Sequence, residues 1–212
     1  MKYYKSLCFI LLFASLLSGY GCSSSSPERQ VLDMNTDWAF YRGDVEEGHK
    51  ADLDDSGWMP AVIPHIMQLE TKHCGGNSIY DGIGWYRRYF KLPAEYKGKR
   101  IAVSFEGVMT NCDVYLNEEK ITTHHGGYMG FVADLTDRIN WDGNNILAVR
   151  VSAEYDPLTP PGKPQDKMDF YYYSGIYRDV SMVITDKVYI TDPLQEDIIA
   201  GGGQFVTFPE VT

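Results

Sequence analysis

The residue types in this chain that could act on a ligand are carboxylates, histidines and one dense aromatic run. Glu118 and Glu119 are adjacent acids, the simplest pair for proton transfer. They fall at the tip of an expected hairpin, where neighbouring acids are solvated, so they read as surface. His65, after Pro64, is placed as a general base would be, but a packed or hydrogen-bonded structural histidine is the better reading. His73 and Cys74 offer metal-ligand chemistry without the further N or S donors that a four-coordinate zinc site requires. His124 and His125 are neighbours, and neighbours in a strand point to opposite faces, which removes them as a joint metal site. The densest run is Asp169-Phe170-Tyr171-Tyr172-Tyr173-Ser174-Gly175-Ile176-Tyr177-Arg178-Asp179-Val180. It reads as a strand, a bend at Ser174-Gly175 and a second strand. In extended backbone Tyr171 and Tyr173 share a face and Tyr172 opposes them. Arg178 and Asp179 also point apart, so each needs its own partner; Arg178 is expected to be one half of a buried ion pair.

Composition sets limits on what these groups can serve. The 212 residues carry a formal net charge of −10. That is the wrong sign for nucleic acid and suits a protein handling neutral ligands. Met1–Gly21 has the form of an export signal: Lys2 and Lys5 precede an apolar core at residues 8–17, too short to span a bilayer. Cys22 then precedes Ser23-Ser24-Ser25-Ser26, the pattern of a bacterial lipoprotein site with Cys22 lipidated and residues 22–29 as a tether. Ordinary signal cleavage near the same point is the alternative. The corresponding locations are the periplasm or the cell surface. Cys74 and Cys112 are either bridged, which an oxidising compartment would permit, or two free thiols.

The elements that must position these groups are strands. From Val31 onward, short alternating or aromatic runs are separated by Gly, Pro, Asn and Asp clusters, and no long helical period appears. Trp38-Ala39-Phe40-Tyr41 reads as a first strand. Residues 85–92 carry Tyr86, Arg88 and Phe90 on one face and Trp85, Arg87 and Tyr89 on the other. Basic residues on both faces imply an open or partner-covered strand. Ile101, Val103 and Phe105 form one inward row, and Cys112, Val114 and Leu116 another. Asn117-Glu118-Glu119-Lys120 lacks Asn-Gly, so a longer or type I turn is expected rather than type I′. Gly126 and Gly127 suit positive φ or a close approach. Asp142–Asn145 turns into the strand Ile146–Val151. Residues 154–168 form a proline-rich loop, 187–203 a linker, and Gln204–Phe208 the start of another strand.

Several segments together resemble glycoside hydrolase family 2, the β-galactosidase and β-glucuronidase group. They are Asp55–His65, Gly84–Phe90, Phe105–Val108, His124–Phe131 with Asp134-Leu135-Thr136, Asn145–Val151, and Ser174–Val180. The resemblance implies an all-β fold: a jelly-roll β-sandwich of the galactose-binding type over residues 30–186, then the first strand of an immunoglobulin-like domain at 204–212. It also implies a role at the rim of a sugar pocket. Asp169 matches a family aspartate that reaches the sugar and, in a complete enzyme, a nearby monovalent cation. Asp81 matches a polar position facing the same pocket. Either carboxylate could accept two sugar hydroxyls, and Tyr171 and Tyr173 could stack or pack there. No other cofactor is implied.

In the family the catalytic glutamates belong to a (β/α)₈ barrel, which needs roughly 250 residues. No strand–helix alternation is present here. Nor is there a nameable pair of acids for the ~5–5.5 Å separation of a retaining glycosidase. The chain thus reads as the N-terminal sugar-binding part of a β-galactosidase-like enzyme, inactive alone, with a β-linked glycan and a catalytic barrel as partners. The rivals are a stand-alone carbohydrate-binding lipoprotein and a structural module. An aromatic platform that works without a barrel would mark the first.

Overall fold

The computed structural model describes residues 29–68, 80–191 and 206–210. The expected leader, Cys22, His73, Cys74 and the linker beyond Thr191 lie outside them. The described residues include twelve strands: β1 (Arg29–Asp33), β2 (Trp38–Arg42), β3 (Met59–Ala61), β4 (Ile83–Phe90), β5 (Arg100–Phe105), β6 (Val108–Met109), β7 (Asn111–Leu116), β8 (Glu119–His125), β9 (Phe131–Asp134), β10 (Asn145–Ser152), β11 (Gly175–Ile176) and β12 (Val180–Thr185). They form a four-stranded sheet in the order β1-β12-β5-β9, a six-stranded sheet in the order β3-β2-β4-β10-β7-β8, and the small pair β11-β6. All pairings are antiparallel. The alternating rows point to an all-β protein and the family resemblance to a sandwich, and both are observed. No helix among the described residues is long and apolar enough to cross a membrane.

The core lies between the two large sheets because their inward rows are apolar. Ile101, Val103 and Phe105 meet Met182 and Ile184 on one sheet; Trp38, Phe40, Tyr86, Val114, Leu116 and Val149 face them from the other. Asn145 fixes the entrance to β10, its amide donating to Asn140 O at 3.0 Å and its Oδ1 accepting from Asn140 N at 2.7 Å. Pro60 sits in β3, an edge strand, where a missing backbone donor breaks no ladder.

Three expectations are corrected. First, β4 is buried on both faces from Ile83 to Arg88. Arg87, fully buried, donates to Asp55 Oδ2 (2.7 Å), Gly48 O (2.7 Å), Lys50 O (2.8 Å) and the Tyr89 hydroxyl (3.0 Å). The cover is the chain's own segment 43–58, which crosses the outer face of the six-stranded sheet. Asp44 there binds Arg150 and the Trp85 indole N–H, and the His49 ring stacks on Tyr115 at 4.7 Å.

Second, Leu116 pairs with Glu119, and Asn117 and Glu118 both have positive φ, at +50° and +74°. That two-residue loop has the signature of a type I′ turn, which the absence of Asn-Gly argued against. Tertiary hydrogen bonds impose it. Asn117 Nδ2 donates to Arg138 O and Asn145 Oδ1, both at 2.9 Å, and Asn117 Oδ1 accepts from Ile146 N at 3.0 Å. Glu118 accepts from Ala51 N at 2.8 Å.

Third, Arg178 is exposed and forms no ion pair among the described residues; its guanidinium lies 5.4 Å from the Tyr177 ring. The bend between β11 and β12 carries it out to solvent. At the C-terminus, residues 206–210 form no strand, and Val206 and Phe208 are exposed.

Candidate functional site

Asp169–Ser174 has no strand structure. What holds this stretch is a short backbone exchange at its end. Met67 N donates to Ser174 O and His65 N donates to Ile176 O, both at 2.7 Å. Gly175, with φ +133°, permits the approach. A Cβ there would lie 2.6 Å from His65 O and 2.7 Å from the Tyr86 hydroxyl, so a side chain has no room. His65 itself is structural, as expected: Nδ1 is 2.9 Å from the Tyr86 hydroxyl and the ring packs on Phe40 at 4.7 Å. Burial pushes its pKa below the usual histidine value.

This pairing makes a cleft lined by Met67, Gln68, Tyr80 and Tyr171–Ser174. Its volume, about 20 Å³, holds roughly one water and not a sugar ring. The cleft is a partial wall. Gln68 Oε1 accepts from Tyr80 N, and the Tyr80 hydroxyl donates to Ile83 O at 2.6 Å. These bonds tie the start of β4 to the cleft. Asp81, exposed, follows Tyr80 directly. The Tyr177 hydroxyl donates to Gly127 O at 2.6 Å. Gly126 has φ +104°, and a Cβ on Gly127 would run into Met109, so both glycines serve the ends expected of them.

Among the expected site residues, Tyr171 and Tyr173 line the cleft, Tyr171 partly buried and Tyr173 exposed. Asp81 stands at its edge. Asp169 is exposed at the entry to the aromatic run and is not among the lining residues. None of the three consecutive tyrosines is fully buried. The run is irregular and lies at the surface.

Tyr80, Gln68 and Tyr172 were missed. Tyr172 was set aside by an alternation that does not apply outside a strand. It is half-buried, and burial above all raises its hydroxyl pKa, with Tyr128 and Asp81 adding to the rise and a Thr110 interaction opposing it. Tyr128 (47% exposed), Met129, Phe170 and Tyr173 are open to solvent. The adjacency of Tyr80 to Asp81 was the one signal that could have found it.

Among the described residues no three His, Cys, Asp or Glu side chains converge as metal ligands. Asp169, exposed, is the carboxylate that the resemblance directs toward a cation in a complete enzyme.

The arrangement is a β-sandwich with an amide and four tyrosines lining a narrow cleft at its surface. Comparison with known proteins narrows it. Residues 73–186 match the family model described as glycosyl hydrolases family 2, sugar binding domain, and the chain belongs to that family. It is 36% identical over 167 residues to a β-galactosidase of Thermoanaerobacter pseudethanolicus, covering 77% of this chain and 22% of that one. It is 30% identical over 189 residues to a β-glucuronidase of Bacteroides fragilis, covering 88% and 24%. Among solved structures, Bacteroides uniformis β-glucuronidase 2, covalently bound to cyclophellitol-6-carboxylate aziridine, superposes with a TM-score of 0.68 at 29% identity. That match covers 74% of this chain and 18% of the other. The chain spans about a fifth of the length of these relatives.

Proposed function

We propose that this chain serves as the N-terminal sugar-binding part of a β-galactosidase-like retaining glycosidase and supplies one wall of its pocket. Asp81 and Asp169 accept hydroxyls of a β-linked glycan, while Tyr171 and Tyr173 pack against it. The opposite wall, with the acid/base and nucleophile carboxyls, belongs to a (β/α)₈ barrel partner. The observation that carries this reading is the cleft itself. Backbone bonds from Met67 and His65 to Ser174 and Ile176 fix the tyrosine run beside Tyr80 and Asp81, yet the enclosed space is far too small for a sugar without a second surface. Relatives named β-galactosidase and β-glucuronidase both match, so the substrate class extends to β-linked glycosides. Export and anchoring through lipidated Cys22 complete the proposal, on the pattern of the first 26 residues; mass spectrometry of the exported protein after metabolic labelling with a fatty acid would detect the lipid.

The 212-residue chain alone should not hydrolyse aryl β-galactosides or β-glucuronides. Turnover that persists through repurification and vanishes on mutating an acid within this chain would overturn the assignment of catalysis to a partner.

A further inference from the structure

The bend between β11 and β12 carries an arginine that neither the core nor the sugar cleft uses. Arg178 is exposed and has no ion pair among the described residues, yet its side chain has a fixed seat. A Cβ on Gly107 would lie 3.0 Å from the Tyr177 ring and 3.1 Å from Arg178 Cδ. The arginine stem and the tyrosine ring therefore rest on the Gly107 backbone. Gly107 has no left-handed φ, so the close approach is what a glycine serves there. The guanidinium stands 5.4 Å from the Tyr177 ring, within cation–π reach. Tyr177 is itself anchored, its hydroxyl donating to Gly127 O at 2.6 Å.

The neighbouring acids leave the charge uncompensated. Asp179 accepts from Asn35 Nδ2 at 3.3 Å, and the Glu106 N–H donates to Asp179 O at 3.0 Å; neither carboxylate pairs with Arg178 among the described residues. Tyr128 and Met129, which follow Gly127, are 47% and 63% exposed. Arginine, tyrosine and methionine are residue types enriched in the centres of protein interfaces. An arginine already held in place also has less side-chain freedom to lose when a partner arrives.

The position of the bend indicates which partner. Ser174 lines the sugar cleft, and Arg178 is at most about 14 Å of extended chain beyond it. A body that completes the cleft can therefore reach the bend. The chain spans about a fifth of the length of its relatives, which leaves ample protein for such a body.

We propose that Arg178, Tyr177, Tyr128 and Met129 form the docking surface for the catalytic barrel, with Arg178 gripping a carboxylate on the barrel; the inference rests on the barrel partner assigned above. Arginine and carboxylate can make two parallel charge-assisted bonds. The test joins the full chain to a related β-galactosidase in place of its matching domain and compares melting of this domain, by calorimetry, in the chimera and in the free chain. Docking should raise the melting temperature in the chimera. Arg178→Glu, which opposes like charges, should lose most of that upward shift and Arg178→Met part of it. Arg29→Met, an exposed cation on β1, should keep all of it. The free chain carrying Arg178→Glu should melt as wild type does, which separates docking from folding. Activity of the same chimera with Asp81→Ala or Asp169→Ala reads the sugar contacts independently. If those changes are silent while the shift still depends on Arg178, the sugar assignment fails and the docking surface stands. Equal melting in chimera and free chain, or a shift that Arg178→Glu leaves whole, overturns the proposal. Self-association of the free chain that Arg178→Glu abolishes would give the surface to a second copy and overturn it equally.

Discussion

Arg87→Met should be among the most damaging single substitutions in this domain, although its position on a strand with two basic faces suggests a surface residue. Methionine retains much of the stem volume and removes the charge. Four donated hydrogen bonds disappear, to Asp55, Gly48 O, Lys50 O and Tyr89. The charged bond to Asp55 is worth about 1.5–3 kcal/mol, and a buried carbonyl left without a donor costs about 1–3 kcal/mol. Asp55 keeps 17% of its side chain exposed, so water relieves part of the loss. The net falls near the lower end of the roughly 3–5 kcal/mol for breaking a buried pair. At about 2–4 °C per kcal/mol for a domain of this size, melting should drop by roughly 6–12 °C. Arg178→Met, at an exposed site without an ion pair, should stay within about 0.5 kcal/mol of wild type. Parallel thermal and urea melts measure both, and a double-mutant cycle with Asp55→Asn isolates the pair. An Arg87→Met protein melting within about 2 °C of wild type would refute the reasoning about the 43–58 cover.

Other outcomes follow from the same geometry. Gly175→Ala should cost about 2–4 kcal/mol in urea unfolding, since positive φ and contact with His65 O and the Tyr86 hydroxyl both oppose a side chain. Burial depresses the pKa of His65 and, chiefly for the same reason, of His124. The unfolded chain therefore binds more protons just below its histidine pKa of about 6.5. Stability should be complete above that pH and decline as pH falls toward the folded pKa values. A stability–pH profile that His65→Gln does not flatten in this window would contradict it. The thiol of Cys112, fully buried with its pKa pushed up by desolvation, should stay unlabelled by a thiol reagent until the protein unfolds, measured with Cys8, Cys22 and Cys74 replaced by serine.

Much of the sandwich was legible in the sequence because its inward rows alternate strictly: Ile101, Val103 and Phe105, then Cys112, Val114 and Leu116, are all buried. The glycines at 126 and 127 were legible because each serves one of the two uses of a glycine, positive φ at Gly126 and a close approach to Met109 at Gly127. What the sequence hid depends on contacts between distant segments. The burial of Arg87 comes from carbonyls of Gly48 and Lys50, and no local pattern encodes that cover. The Asn117-Glu118 turn is set by Arg138, Asn145, Ile146 and Ala51 rather than by its own residues. At the candidate site, alternation chose Tyr171 and Tyr173 and rejected Tyr172, but the run's backbone is bonded to Met67 and His65 instead of to a regular strand. Tyr80 joins it from another loop.

The central claim is that the edge bearing Asp81, Asp169 and the tyrosines faces a glycan in the company of a barrel. The most direct measurement replaces the matching sugar-binding domain of a related β-galactosidase with this chain and determines kcat/KM for the chimera and its variants. A folded, active chimera is expected. Asp169→Ala and Asp81→Ala should each lower kcat/KM about ten- to a hundredfold, the loss of a charge-assisted hydrogen bond of about 1.5–3 kcal/mol, with melting unchanged because both residues are exposed. A chimera whose kcat/KM is indifferent to both substitutions, or one that folds but shows no turnover, would contradict the account.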